Sequence, residues 1–260
     1  MYNEVERIER CVSEVEKKVR SFTRSYEIII AEDGSTDGTD IIAARLAKTN
    51  PRVKLLHSKP RLGKGKAIKR ALRAARGDVI VYLDADLATN LEYLPKIVEA
   101  VQKHGGMAIG SRYIDGSNVI RPSSRTIFSI AYNLLARMLL GDGVMDHQCG
   151  FKALSKNLAR TLSNKVKSNG LFFDTEMIVW AKRLGYEVTE IGVEWREFRN
   201  KGESKVKLFR DALKMGIELL KFRLRLYRVN QKYCEYGKRI GRITPGRSKR
   251  NVQVVVNCQG

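Results

Sequence analysis

An α/β fold built on a mostly parallel sheet is what this 260-residue sequence predicts. Three observations carry that expectation. Short apolar runs alternate with amphipathic stretches of about 10–15 residues, the pattern of βαβ units. Acidic or glycine-rich turn clusters follow the apolar runs directly. Hydrophobic residues make up 43% and are interspersed with charge, so one large domain can bury a core.

The elements follow in order. Val5, Ile8, Val12, Val15 and Val19 recur at helical spacing. Tyr26 to Ala31 reads as a buried strand, ended by the turn cluster Glu32-Asp33-Gly34-Ser35. Residues 37–48 read as a helix, 53–57 as a strand, and 64–75 as a helix stopped by Gly77. Val79 to Leu83 is a second buried strand, followed at once by Asp84-Ala85-Asp86. A helix over 91–103 and a strand over 107–110 come next. Beyond 110 the alternation loosens, with helices over 125–140 and 174–184 and a strand over 188–193. Residues 206–228 form a long amphipathic helix whose polar stripe includes Arg210, Lys214, Glu218, Lys221 and Arg225. Three units result: a catalytic domain over 1–205, an interfacial helix over 206–228, and a basic, flexible tail over 229–260.

The net charge of +21 calls for a polyanionic partner: nucleic acid, anionic lipid or a phosphorylated substrate. From Lys221 to Arg250 eleven Lys and Arg face one acid, Glu235, so much of the surplus is local. Cys11, Cys149, Cys234 and Cys258 are scattered, which suggests neither a zinc site nor a disulfide framework but reduced thiols in a cytoplasmic protein. The start Met1-Tyr2-Asn3-Glu4 has no signal-peptide character. No stretch of about 18 uncharged apolar residues offers a transmembrane span.

The two acidic turns carry the chemistry. Ligands bind at the carboxyl ends of the strands in such sheets. Asp84 and Asp86, two positions apart at a strand end, can hold a hard divalent cation and leave positions free for phosphate oxygens. A diphosphate leaving group needs that neutralisation. Asp33-Gly34-Ser35-Thr36-Asp37-Gly38-Thr39 is either a capped turn or a nucleotide-facing loop, and both readings are compatible. Gly63-Lys64-Gly65-Lys66 is a basic glycine turn. It fits neither the Walker pattern nor Gly-x-Gly-x-x-Gly, because Ile68 stands where the third glycine belongs.

Gly110-Ser111-Arg112-Tyr113, Gln148-Cys149-Gly150-Phe151-Lys152 and Ser204-Lys205-Val206 follow these motifs in order. As an ordered set over about residues 2 to 228, they resemble the family 2 glycosyltransferases of GT-A fold. Within that family the set is most similar to the dolichyl-phosphate (polyprenyl-phosphate) glucosyl- and mannosyltransferases. Asp84-Ala85-Asp86-Leu87-Ala88-Thr89 and Asp146-x-Gln148-Cys149-Gly150 are closest to the glucosyl branch.

The resemblance implies roles. Glu4, Asp33, Gly34 and Ser35 would contact the nucleoside. Asp84 and Asp86 would hold Mg²⁺ or Mn²⁺, with Lys64 and Arg112 near the phosphates. Arg125, Arg199, Ser204 and Lys205 would face the acceptor phosphate. Asp146, Gln148 and Cys149 would line the sugar–acceptor junction, although Cys149 alone reads as packing. Asp174 and Glu176 read first as acids favoured by a helix N-terminus, with a functional role as the alternative; His147 reads as a surface-loop histidine, with a pH-sensitive ligand beside Asp146 as the alternative. Two departures stand out. Ala88 occupies a position where mannose-transferring relatives carry a metal-assisting Gln. An apolar strand expected just ahead of Tyr2 is missing, which would leave sheet backbone unpaired.

The implied reaction is inverting transfer of a hexose from UDP-glucose or GDP-mannose to a lipid phosphate at the cytoplasmic membrane face, with the protein peripherally bound to anionic lipid. A phosphate monoester is already anionic near neutrality, so no strong general base is required. A non-lipid acceptor is the alternative within this class. Binding of nucleic acid by the 221–250 basic run is the alternative outside it, and that binding would be strongly salt-dependent.

Overall fold

A computed structural model describes residues 1–120, 123–197, 208–233 and 252–257. It is an α/β sandwich. The elements, in chain order, are α1 (Ile8–Arg20), β1 (Tyr26–Ala31), α2 (Thr39–Thr49), β2 (Val53–Leu56), α3 (Lys64–Ala74), β3 (Val79–Asp84), α4 (Leu94–His104), β4 (Met107–Ser111), β5 (Asn118–Ile120) and α5 (Ser123–Leu140). They continue with β6 (Phe151–Ser155), α6 (Lys156–Lys165), α7 (Phe173–Arg183), β7 (Val188–Gly192), β8 (Glu194–Arg196), α8 (Leu208–Tyr233) and β9 (Val252–Asn257).

The main sheet has the order β2-β1-β9-β3-β6-β4-β7. β6 runs antiparallel to both its neighbours, and the other pairs are parallel. β5 and β8 form a separate two-stranded ribbon. One core lies on each face. Ile68, Leu72, Tyr82, Phe173 and Met177 centre the first, and Ile8, Val15, Ile28, Val81 and Phe151 the second. β1 and β3 are apolar on both faces, as a parallel strand covered on both sides must be.

Two sequence expectations change. The sheet position thought to be missing ahead of Tyr2 is filled by β9, between β1 and β3. The tail expected to be flexible from 229 onward therefore contains a central strand. Four valines among the six residues Val252–Asn257 explain it, because β-branched side chains suit a slot buried on both faces. Gln253 is the polar exception. Its Oε1 takes the backbone N–H of Gly77 at 2.8 Å and that of Arg76, at the end of α3.

α8 runs to Tyr233, beyond the expected end at 228. Its Leu219, Phe222 and Leu226 are buried, and Phe222 meets Phe172 and Trp180 edge-on. β6 escapes a reading by periodicity because Lys152 interrupts its apolar run, yet Lys152 is fully buried.

Candidate active site

Asp84 ends β3, and its carboxylate enters a buried charge cluster. Lys64, the first residue of α3, is buried. It lies with Nζ 3.2 Å from Asp84 Oδ1 and 3.5 Å from Asp174 Oδ2. Lys152 Nζ lies 2.7 Å from Asp174 Oδ1, and the Tyr82 hydroxyl donates to that same oxygen. Lys152 also donates to the Cys149 carbonyl at 2.5 Å. Burial pushes the Asp84 carboxyl up to about 6. Lys64 opposes this, while Asp86 and Asp174 add to it. Burial alone would lower the Lys64 ammonium, but Asp174 and Asp84 outweigh it and hold it above its usual range. Asp174 stays below the ordinary carboxylate range despite its burial, because Lys152 and Lys64 face it.

Asp84, Asp86 and Asp174 thus outnumber Lys64 and Lys152 here. Asp84 Oδ1 is buried and faces the Lys64 ammonium. Asp86, half-buried, lies on the wall of a cleft of about 890 Å³ between α1 and the 85–92 turn, with Arg7 and Arg10 opposite. Asp86 Oδ1 accepts the Ala88 N–H at 3.2 Å, and Leu87 between them holds φ +51°. A non-glycine residue in that region marks a turn set by its surroundings. No cluster of three or more His, Cys, Asp or Glu forms a metal cage among the described residues. A cation here would take at most two protein carboxylates and draw its other ligands from substrate or water, which suits a hard ion bound with a diphosphate.

The loops expected to meet a nucleoside are stitched together. Asn3 N donates to Ser35 Oγ at 2.9 Å, Glu4 N to Thr39 Oγ1 at 2.8 Å, and Val5 N to Asp37 Oδ2 at 3.2 Å. Asp33 accepts the N–H groups of Leu62 and Gly63 at 2.7 and 3.0 Å, so it fixes the loop that carries Lys64. Gly34, at φ +72°, lies against the 59–61 backbone. A Cβ there would sit 2.7 Å from Arg61 N. Glu4 is buried, with a carboxylate oxygen 3.5 Å from Arg7. Glu32, which the motif reading passed over, is buried and accepts from Ser35 N at 2.6 Å beside His57 Nδ1 at 2.7 Å.

Arg112 and Asp146 form one unit. Nε and Nη2 of Arg112 reach the two Asp146 oxygens at 2.7 and 2.9 Å, and Arg112 N adds a third bond at 3.1 Å. Both residues are buried. Burial would raise the Asp146 carboxyl, but Arg112 outweighs it and holds it low. Gln148 is half-buried and donates to Thr175 Oγ1 at 2.9 Å. Burial lifts the Cys149 thiol to about 11, which agrees with a packing role.

His147 is not a surface residue. It is fully buried, with Nε2 2.8 Å from Asp142 and Nδ1 3.1 Å from Asn133. Arg125 lies in α5, but its side chain is outside the described residues, as are Arg199, Ser204 and Lys205. Asp174 lies outside the motifs, and Lys152, which closes the Gln148–Lys152 motif, had no role assigned to it. An Asp at a helix start and a Lys inside a strand give no signal until the fold brings them beside Lys64.

A sheet with acidic turns at its strand ends, a half-buried Asp-x-Asp turn and a buried lysine locked against it defines a nucleotide-sugar transferase of GT-A type. The chain belongs to glycosyl transferase family 2, whose family model matches residues 1–163. It is 44% identical over 223 residues to the glycosyltransferase AglD of Haloferax volcanii, covering 85% of this chain but only 35% of that protein. It is 33% identical to the dolichyl-phosphate beta-glucosyltransferase ALG5A of Trichomonas vaginalis, covering 85% of this chain and 70% of that one. Among solved structures, glucosyl-3-phosphoglycerate synthase from Mycobacterium tuberculosis, in complex with Mn²⁺, UDP and glucosyl-3-phosphoglycerate, aligns with a TM-score of 0.54 at 21% identity. That alignment covers 82% of this chain and 83% of the other, and it shows the shared fold.

Proposed function

We propose that this glycosyltransferase moves a hexose from a nucleotide sugar to the phosphate of a dolichyl-type lipid, with inversion at the anomeric carbon. The observation that carries this reading is the buried Lys64–Asp84–Asp174 cluster beside Asp86. It sets a carboxylate pair, Asp84 and Asp86, at the end of β3, where a metal–diphosphate would bind. Mg²⁺ or Mn²⁺, when bound by Asp84 and Asp86, would stabilise the departing nucleoside diphosphate. Lys64 holds Asp84 in place. Asp33 and the 1–5 segment order the loops for the nucleoside. The lipid phosphate is already an anion and attacks without a poised base. The names of the dolichyl-phosphate relatives favour glucose over mannose.

An acceptor route is supported by a second cleft of about 1070 Å³ beside α8. Arg61, Lys167, Arg210, Lys214, Lys221 and Arg225 line it and outnumber the acids there, Glu176, Asp211 and Glu218. Asn169, on its wall, accepts the Gly65 N–H at 2.9 Å, which ties this cleft to the Lys64 loop. On α8, Leu213, Ile217, Leu220, Leu224 and Tyr227 form an exposed stripe at steps of four and three. α5 packs on α8 and exposes Ile127, Phe128, Leu134 and Met138. No described helix is long and apolar enough to cross a membrane, so these faces suit contact with an anionic membrane surface.

Donor profiling tests the reading. UDP-glucose, GDP-mannose and UDP-N-acetylglucosamine are compared with polyprenyl phosphate and either metal. Lipid-extractable product from UDP-glucose is expected. Product only on a water-soluble acceptor would overturn the acceptor assignment.

A further inference from the structure

The two oxygens of Asp174 have different company. Oδ1 is engaged by Lys152 Nζ at 2.7 Å and by the Tyr82 hydroxyl. Oδ2 faces Lys64 Nζ at 3.5 Å, and that same ammonium lies 3.2 Å from Asp84 Oδ1. Both separations exceed the roughly 2.7–2.9 Å of a tight ammonium–carboxylate bond. Lys64 is therefore shared between two carboxylates and seated closely on neither.

The two carboxylates also differ in access. The Asp84 side chain is 20% exposed, whereas that of Asp174 is 1% exposed. An ion from solvent can reach Asp84 but not Asp174. Adjustment falls to the Lys64 side chain, because the backbone around it is fixed. Asp33 holds the N–H groups of Leu62 and Gly63, and the Asn169 carbonyl holds that of Gly65. A Cβ on Gly65 would lie 2.6 Å from Phe173 Cβ, so this glycine lets the start of α3 press against the residue before Asp174. A lysine suits such a place, since its ammonium is a compact charge on a flexible stem.

We infer that Asp174 is a positioning residue: it receives the Lys64 ammonium when a divalent cation takes Asp84, so that one carboxylate exchanges a resident cation for the metal. This role rests on the reading of Asp84 and Asp86 as the carboxylates that take the ion. In the metal-free chain Lys64 neutralises Asp84. With the ion in place, two cations would crowd one oxygen, and their repulsion drives Lys64 the short way to Asp174 Oδ2. Lys152 and Tyr82 keep that acceptor in position.

Calorimetry of Mn²⁺ binding at pH 8, on the full chain with neither donor nor acceptor, tests this apart from turnover. Asp174→Asn should weaken binding at least about fivefold, because Lys64 then stays on Asp84. In a Lys64→Met background the same substitution should change the affinity by no more than about twofold, since its effect runs through Lys64. An equal loss in both backgrounds would mean that Asp174 acts by its charge alone, and would overturn the proposal. Should Asp174→Asn leave Lys152 too poorly paired to fold, Lys64→Met decides alone. It should bind Mn²⁺ at least about fivefold more tightly than the parent. Unchanged or weaker binding by that folded variant would overturn the exchange. Asp86→Asn marks failure of the underlying reading. Mn²⁺ held as tightly without that carboxylate, or not held by the parent, would remove the metal site and this role with it.

Discussion

Asp84 occupies the space that a side chain at Gly150 would need. A Cβ on Gly150 would lie 1.8 Å from Asp84 Oδ2, and the two residues also share a backbone bond from Asp84 N to Gly150 O at 3.1 Å. Gly150→Ala should therefore move the carboxylate out of the Lys64 cluster. Turnover is expected to fall by at least about tenfold, because small misplacements of a catalytic group cost that much or more. Gly216→Ala, which meets nothing within 4 Å, is the control with unchanged rate. Steady-state kinetics over a metal titration separates the two. Equal rates would show that Asp84 is not held by this contact.

The raised Asp84 carboxyl makes a prediction about pH. Its folded value of about 6 lies above its ordinary 3.8, so between those values the folded state holds the proton more tightly than the unfolded state. This group therefore costs stability as pH rises through that window, and the cost is complete above it. Asp84→Asn should raise the melting temperature of metal-free protein at pH 8 and change it little at pH 4, while abolishing turnover. In the parent, a cation must displace that proton below about pH 6, so Mn²⁺ affinity should fall there. Calorimetry in buffers of differing ionisation heat reads both the affinity and the released proton.

The Arg112–Asp146 pair gives the opposite sign. The folded Asp146 carboxyl is held low, so its contribution is present above the ordinary carboxylate value and is lost as pH falls through the folded value. Arg112→Met leaves a buried carboxylate unpaired, with an expected loss of about 3–5 kcal/mol near neutrality. The gap between variant and parent in urea denaturation should be widest at pH 7 to 8. It should narrow in acid as the stranded carboxyl of the variant takes up a proton.

The exposed stripe on α8 predicts membrane behaviour. Replacing Leu220 and Leu224 by Glu together should weaken flotation with anionic vesicles by at least about tenfold, since each buried apolar side chain contributes about 1.5–3 kcal/mol. Neither residue joins the core, so the melting temperature should hold. Undiminished flotation would assign the stripe another role.

Much of this architecture is legible in the sequence because its signals are local. The Val79–Leu83 run, the turn after it and the glycine-bounded start of α3 announce themselves by period and position. The interior polar groups do not. Lys152, Asp174 and His147 look solvent-facing by residue type. They are buried because each meets a polar partner that residue type alone does not reveal: Asp174 for Lys152, and the nearby Asp142 with Asn133 for His147. β9 was hidden for a related reason. Its partners stand more than 160 residues away in sequence, and the basic stretch before it carries no strand signal.

That same strand sets a timetable for folding. During synthesis β1 and β3 emerge before β9, and the slot between them stays open until residues 252–257 leave the ribosome. Two parallel edges, apolar on both faces, wait while the segment between β3 and β9 is made, and such edges invite pairing with other chains. Closure of the sheet is then a late, long-range event with a high contact order. Expression yield of this chain should depend more on chaperone supply than on codon choice in its first half.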